Sequence, residues 1–211
     1  MTGNILAVVI AYFLGAVPIG LTLARLVKGV DIRRYGSGKT GATNVLRTLG
    51  VKAAVAVLLL DIGKGVAAVY IARALGDSPW AASLAGIAAV CGHIWSVYIR
   101  FTGGRGVNTG LGALLAIAPL GGLVTVVVAL SVMALWKFVS LGSIIGAAVG
   151  AFAIIALAAA GRLDGEYVAF GSVVATLIIA VHRDNIQRLL SGTERKLGQK
   201  VAVEPQGEGA R

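Results

Sequence analysis

Long apolar runs separated by short polar connectors fill the sequence. Residues 4–26, 53–75, 80–99, 138–160 and 166–182 are each strongly apolar, and about 20 such residues in a helix cross a ~30 Å hydrocarbon layer. A further apolar run, 107–136, is long for one crossing at ~1.5 Å per residue. Pro119, Gly121 and Gly122 interrupt it near its middle, where a proline removes a helix donor and clashes with the preceding turn. The pattern predicts an all-α, polytopic integral membrane protein in which residues 1–200 form a single domain. Residues 201–211, containing Gly, Pro and Glu, read as a disordered tail.

The basic residues between the runs set the expected topology. Arg25, Lys28, Arg33, Arg34, Lys39, Arg47 and Lys52 crowd the first connector, which the positive-inside rule places in the cytoplasm. The 76–79 turn carries only Asp77 and belongs outside; Arg100 and Arg105 return inside. If 107–136 crossed once, Arg183, Arg188, Arg195, Lys196 and Lys200 would lie outside. Breaking it at Pro119 brings them inside, and gives seven helices with the N-terminus outside and the C-terminus cytoplasmic. One of the seven, 107–118, is then a half-helix of only about 18 Å. It begins at Gly-rich backbone within the membrane thickness, which is tolerated only where it is buried in protein or lines a cavity.

Composition narrows the class. Of 211 residues 57% are hydrophobic and 13% charged, against about 25% charged in a soluble domain. Too little polar surface remains to cover a globule. The 30 glycines suit membrane helices packed through small residues. The net charge of +10 would suggest nucleic acid in a soluble protein; here the cations sit in loops, and no soluble basic face exists. The lone Cys91 excludes a disulfide framework and a thiolate metal cluster. Met1 to Val27 lacks a basic start and reads as a retained span, not a cleaved signal.

Three polar loops look unlike plain connectors. In Tyr35–Arg47 (YGSGKTGATNVLR), Gly36, Gly38 and Gly41 let backbone N–H groups turn toward a ligand. Ser37, Thr43 and Asn44 add neutral hydrogen bonds, and Arg47 offers a fork suited to phosphate. The substring GSGKT is not a nucleotide-binding loop, because the required glycine five residues before Gly38 is Arg33. The second loop, RFTGGRGVNT, places Gly103, Gly104, Arg105, Gly106 and Asn108 at the start of the half-helix. Helix-start N–H groups and the positive dipole end there favour an anion. In the third, His182 and Asn185 share one helical face, with Arg188 and Glu194 nearby. Within the spans, Asp61 and Lys64 stand at i and i+3, as a structural pair or with Lys64 turned to the ligand; His93 lies near an inner helix end. No carboxylate cluster suggests a metal site.

The segments GSGKTGATNVLRTLG, DIGKG, GHIWSVYIRFTGGRGV and HRDNIQRLLSGTERKLG, in that order across nearly the whole chain, resemble the bacterial acyl-phosphate:glycerol-3-phosphate acyltransferase family. The family usually has Asn where Lys39 stands here, and GGKGVAT where this chain reads GGRGVNT. The resemblance implies a seven-helix protein of the bacterial inner membrane with its site facing the cytoplasm. It implies acyl transfer from acyl-phosphate to the 1-hydroxyl of glycerol 3-phosphate, the first step of phospholipid synthesis, releasing phosphate and lysophosphatidic acid.

In that reaction Ser37, Arg47, Arg105, His182 and Asn185 are the expected catalytic groups. Gly36, Thr43, Asn44, Lys64, His93, Gly103, Gly104, Gly106, Asn108, Arg188 and Glu194 complete the expected binding set. The base is either His182 or a substrate phosphate. Membrane lipids surround the protein, and no cofactor, metal or coenzyme A is expected. The HxxxxD pair of acyl-CoA-dependent acyltransferases is absent, since Tyr98 and Gln187 stand five residues after His93 and His182. The competing class is a transporter of a small organic phosphate, which broken helices and an intramembrane Asp/Lys pair would also suit. A purely structural subunit would leave the three loops without a purpose.

Overall fold

The computed structural model describes residues 2–76 and 78–199, and no strand occurs among them. Asp77 and the tail from residue 200 lie outside the described residues. The helices are α1 (Thr2–Ala16), α2 (Ile19–Lys28), α3 (Ala42–Leu49), α4 (Val51–Leu75), α5 (Pro79–Ile94), α6 (Val107–Ile117), α7 (Pro119–Trp136), α8 (Val139–Ala159), α9 (Tyr167–Val181) and α10 (Arg183–Leu190). Short 3-10 turns, Ile32–Arg34 and Val97–Ile99, punctuate the first and second polar loops.

The apolar run 4–26 is not one straight rod. Pro18 has no N–H and disfavours helix in the residue before it, so α1 stops at Ala16 and α2 starts at Ile19. The break leaves carbonyls without helical partners, and side chains from other helices supply donors. Ser96 Oγ donates to the Ala16 carbonyl at 2.5 Å and Lys64 Nζ to that of Val17 at 3.2 Å. The run 107–136 divides at Pro119 into α6 and α7 as its sequence suggests, and Arg73 Nη1 donates to the Ala116 carbonyl at the end of α6.

Five segments among the described residues are long and apolar enough to cross a membrane: Thr2–Lys28, Val51–Leu75, Pro79–Ile99, Pro119–Trp136 and Val139–Ala159. Helix α9 bends by 58° into α10, and that pair taken as one span makes six. Helix α6, with 11 residues, is too short. Large apolar side chains such as Leu59, Leu135 and Phe152 point outward, as a lipid-facing surface requires.

Glycines bring the central helices together at backbone distance. A Cβ at Gly65 of α4 would strike the Thr109 carbonyl of α6, and one at Gly112 of α6 would strike the Ile62 carbonyl of α4. Lipid tails are as apolar as leucine, so close packing rather than the hydrophobic effect holds such helices together. The contact fixes α6 against α4 and thereby fixes the loop that precedes α6.

Candidate active site

All three polar loops meet at one end of the bundle. Arg33 bridges the first two: Nε and Nη2 clasp both Asp31 carboxylate oxygens at 2.9 and 2.6 Å, and Nη1 donates to Thr102 Oγ1 at 3.1 Å. Those hydrogen bonds from Arg33 hold the Asp31 carboxyl far below the usual carboxylate range, against the opposing effect of burial.

Asn44 is the keystone of the first loop. Its side chain is buried, Nδ2 donates to the carbonyls of Ile32, Tyr35 and Lys39, and Oδ1 accepts from the Ser37 N–H at 3.1 Å. Its amide is spent on backbone, so Asn44 shapes the loop while Ser37, Thr43 and Arg47 stand at the cavity. The left-handed backbone at Gly36 and Gly38 (φ 58° and 68°) supplies the turn.

The second loop is pressed onto α5. The Gly104 N–H donates to the His93 carbonyl at 3.0 Å, a Cβ at Gly103 would strike that carbonyl, and a Cβ at Gly104 would strike the His93 ring. Only glycine fits either position. Gly106, at φ 75°, then turns the chain into α6. Gly106, Val107 and Asn108 face the cavity, so the donors left over at the start of α6 lie at its wall. Arg105 also lines the cavity, and its Nε is buried without a hydrogen-bond partner.

The third loop converges on Glu194. Its carboxylate accepts from Asn185 Nδ2 at 2.7 Å, Arg188 Nε at 2.8 Å and Ser140 Oγ at 2.8 Å. Burial alone would raise the Glu194 pKa, but these hydrogen bonds outweigh it and hold the carboxyl below its ordinary value. A carboxylate only accepts, so the Asn185 NH2 must face Glu194. The Asn185 oxygen, buried and unpartnered, is left as a free acceptor at the cavity. By the same logic His182 Nδ1, 2.7 Å from the Ile178 carbonyl, carries the proton, and Nε2 is the acceptor.

These groups line one cavity of about 280 Å³. Its polar mouth holds Ser37, Arg47, Arg105, His182, Asn185 and Glu194, and its apolar remainder runs between α6, α7, α8 and α9. The mouth carries more cations than anions. Burial, with Arg195 and Arg188 nearby, pushes the Arg47 pKa below its usual value, and Glu194 only partly offsets this. Such a site is made for a polyanion.

Several expected residues stand elsewhere. Lys64 Nζ is directed at Asp61 (2.9 Å) and the Val17 carbonyl, and does not line the cavity. Gly36, Gly103 and Gly104 shape loops behind the wall, and Arg188 reaches the site through Glu194. His93 lines the cavity with its ring Nδ1 3.2 Å from Thr109 Oγ1 and 3.6 Å from Asp61. Ser140 and Thr109 are neighbours of the site that the sequence did not single out, while Asp61 was expected only as the partner of Lys64. Glu194 was expected beside His182 and Asn185, but nothing in the sequence marked Ser140 as its partner.

A family model described as glycerol-3-phosphate acyltransferase matches residues 5–192. A glycerol-3-phosphate acyltransferase of Thermoanaerobacter pseudethanolicus is 44% identical over 94% of this chain and 98% of its own. Glycerol-3-phosphate acyltransferase 1 of Deinococcus radiodurans is 46% identical over the same shares of each. Among solved structures, PlsY (YgiH), an integral membrane glycerol 3-phosphate acyltransferase, superposes in its glycerol 3-phosphate form with a TM-score of 0.84 at 40% identity, covering 92% of this chain and 96% of that one. Its lysophosphatidic acid form gives 0.82 at 39% identity, covering 93% and 96%. With a cationic cavity at the end of an apolar helical bundle and matches along nearly its whole length, this integral membrane protein belongs to the glycerol-3-phosphate acyltransferase family.

Proposed function

We propose that this acyltransferase transfers a fatty acyl group from acyl-phosphate to the 1-hydroxyl of sn-glycerol 3-phosphate, giving lysophosphatidic acid and inorganic phosphate. The observation that carries the reading is the two-part cavity: a mouth with Arg47 and Arg105 beside an apolar recess between α6, α7, α8 and α9. Both substrates bring phosphate to the mouth, and the donor also brings a long acyl chain.

The first turn of α6 and Arg105 hold the acyl-phosphate head, where N–H groups and the unpartnered Nε meet charge that develops on the acyl oxygen. Ser37 and Arg47 take the phosphate of glycerol 3-phosphate. Asn185 Oδ1 and His182 Nε2, the two free acceptors, orient its hydroxyls. The 1-hydroxyl oxygen attacks the acyl carbon, the bond from that carbon to the phosphate oxygen breaks, and the hydroxyl proton leaves on the departing phosphate. His182 is held by a neutral carbonyl, with no carboxylate hydrogen-bonded to Nδ1 to stabilise an imidazolium. The phosphate is therefore the better proton acceptor, and catalysis rests mainly on positioning.

The site faces the cytoplasm of a bacterial inner membrane. This follows from the cation-rich loops around it and gives seven helices, α6 among them as a half-helix, with the N-terminus outside and the C-terminus inside. Residues 1–200 act as one membrane domain. Purified protein in lipid, given palmitoyl-phosphate and glycerol 3-phosphate, should release phosphate only when both are present, and palmitoyl-CoA should not replace the donor. Transfer from palmitoyl-CoA would overturn the donor assignment.

A further inference from the structure

Behind the polar mouth the cavity ends against a common floor. The last residues to line it on each wall are Leu114 of α6, Thr125 of α7, Ile154 of α8 and Phe170 of α9. They lie at one level: a Cβ at Gly150 would touch Leu114 and Thr125, and one at Gly171 would touch Ile154. Phe170 is the bulkiest of the four and is fully buried, at 2% exposure. The edge of its ring rests on Gly86 of α5, where a Cβ would collide with the ring and also meet the Ala113 methyl. Gly86 has no side chain to back the ring there, so the aromatic group itself closes that end.

The depth can be set against a fatty acyl chain. From His182 at the mouth to Phe170 is twelve residues along α9, about 18 Å at 1.5 Å per residue. A saturated chain with C–C bonds of ~1.52 Å and angles of ~111° advances about 1.25 Å per methylene. The recess therefore accepts about 14 methylenes before the chain meets the ring.

We propose that Phe170 is the specificity-determining residue for acyl-chain length, a stop against which the end of the donor's chain is measured. The inference rests on the acyl-phosphate reading above and deepens it. The cavity also has a second way out. Leu58 of α4 and Leu130 of α7 line the cavity yet are 37% and 59% exposed on the lipid-facing side, and a chain leaving between them would never reach the floor.

The test uses the full chain in bilayer nanodiscs with glycerol 3-phosphate and saturated acyl-phosphates of graded length, supplied one at a time, with kcat/KM read from the lysophosphatidic acid formed. Wild type should show an optimum and a decline for longer donors. Phe170→Ala should move the optimum to donors longer by about two carbons or more, since ~2.5 Å of added depth equals two methylenes. Phe170→Leu, a smaller cavity, should move it the same way by less if alanine prevents folding. Val174→Phe, one turn nearer the mouth on the same wall, should move it to donors shorter by about four carbons, the ~5.4 Å of one helical turn. Active variants whose length profile matches wild type would overturn the stop and show that the chain exits past Leu58 and Leu130. No transfer by wild type from any acyl-phosphate would instead overturn the donor reading and the stop together.

Discussion

Replacing Glu194 with alanine separates orientation of the acceptor from attraction of its phosphate. The carboxylate holds three groups: Asn185 and Ser140, both buried, and Arg188, whose side chain is 40% exposed. Losing the partner of exposed Arg188 costs little, because water replaces it, ~0–1 kcal/mol. Losing a charge-assisted hydrogen bond to a buried amide costs about 1.5–3 kcal/mol. The cavity beside Asn185 admits water, so the lower half of that range applies to its orientation. At ~1.4 kcal/mol per tenfold, the KM for glycerol 3-phosphate should rise about 10- to 30-fold. Removing a negative charge from among Arg47, Arg105 and Arg188 acts the other way on a bare anion, so inhibition by inorganic phosphate should stay the same or strengthen. Glu194→Gln keeps an acceptor for Asn185 and Ser140 and turns its NH2 toward Arg188, so its KM should rise only about threefold, ~0.6 kcal/mol. Steady-state kinetics with phosphate as inhibitor provide the assay. An unchanged KM in Glu194→Ala would refute the reasoning, as would a parallel loss of phosphate inhibition.

Arg105→Ala should lower kcat by about 100-fold or more, as loss of an oxyanion donor does, and Arg105→Lys should restore part of it; equal rates for alanine and wild type would remove Arg105 from the chemistry. His182→Ala should raise the KM for glycerol 3-phosphate while kcat at saturation falls less than tenfold, because the departing phosphate takes the proton; a loss of 100-fold or more in kcat, typical of a missing general base, would make His182 the base. Asn44→Ala removes four hydrogen bonds, although the Ile32 and Tyr35 carbonyls keep backbone donors, and should destabilise the protein by about 2–4 kcal/mol at ~0.5–1.5 kcal/mol per lost hydrogen bond, read by thermal unfolding in detergent. Glu194 and Asp31 both have depressed carboxyl pKa values in the folded protein. Their stabilisation is complete above the ordinary values of 4.5 and 3.8 and is lost as pH falls from there through the folded values. Unfolding temperature should be flat down to about pH 5 and then drop, less so in Glu194→Gln; an equal drop in that variant would count against the Glu194 contribution.

The helical bundle was largely legible because apolar run length and proline act locally. Pro119 divides 107–136 for the reason its chemistry predicts, and α6 begins at the glycines that mark its start. Pro18 carries the same signal inside the first run, where the unbroken hydropathy of 4–26 conceals it. That break decides where Lys64 points, since the Val17 carbonyl lacks its i+4 helical donor only because the helix stops there. Side-chain direction was otherwise beyond the sequence. Asn44 could serve ligand or backbone equally from its spacing, and only the fold of Tyr35–Arg47 turns its amide inward. Ser140 meets Glu194 across fifty-four residues, a pairing that no local pattern encodes.

Glu194 lies near the end of the described chain, yet it anchors Asn185 from one side and Ser140 from the other, and the Leu197 N–H is joined to the Lys137 carbonyl. Membrane helices are inserted in order as the ribosome releases them, so α1 to α9 can all be in the bilayer before residue 194 emerges. Until then Asn185 has no fixed rotamer and its acceptor no fixed aim. A chain cut short before residue 194 would occupy the membrane with its acceptor site unaimed, and would show the raised KM for glycerol 3-phosphate expected of Glu194→Ala.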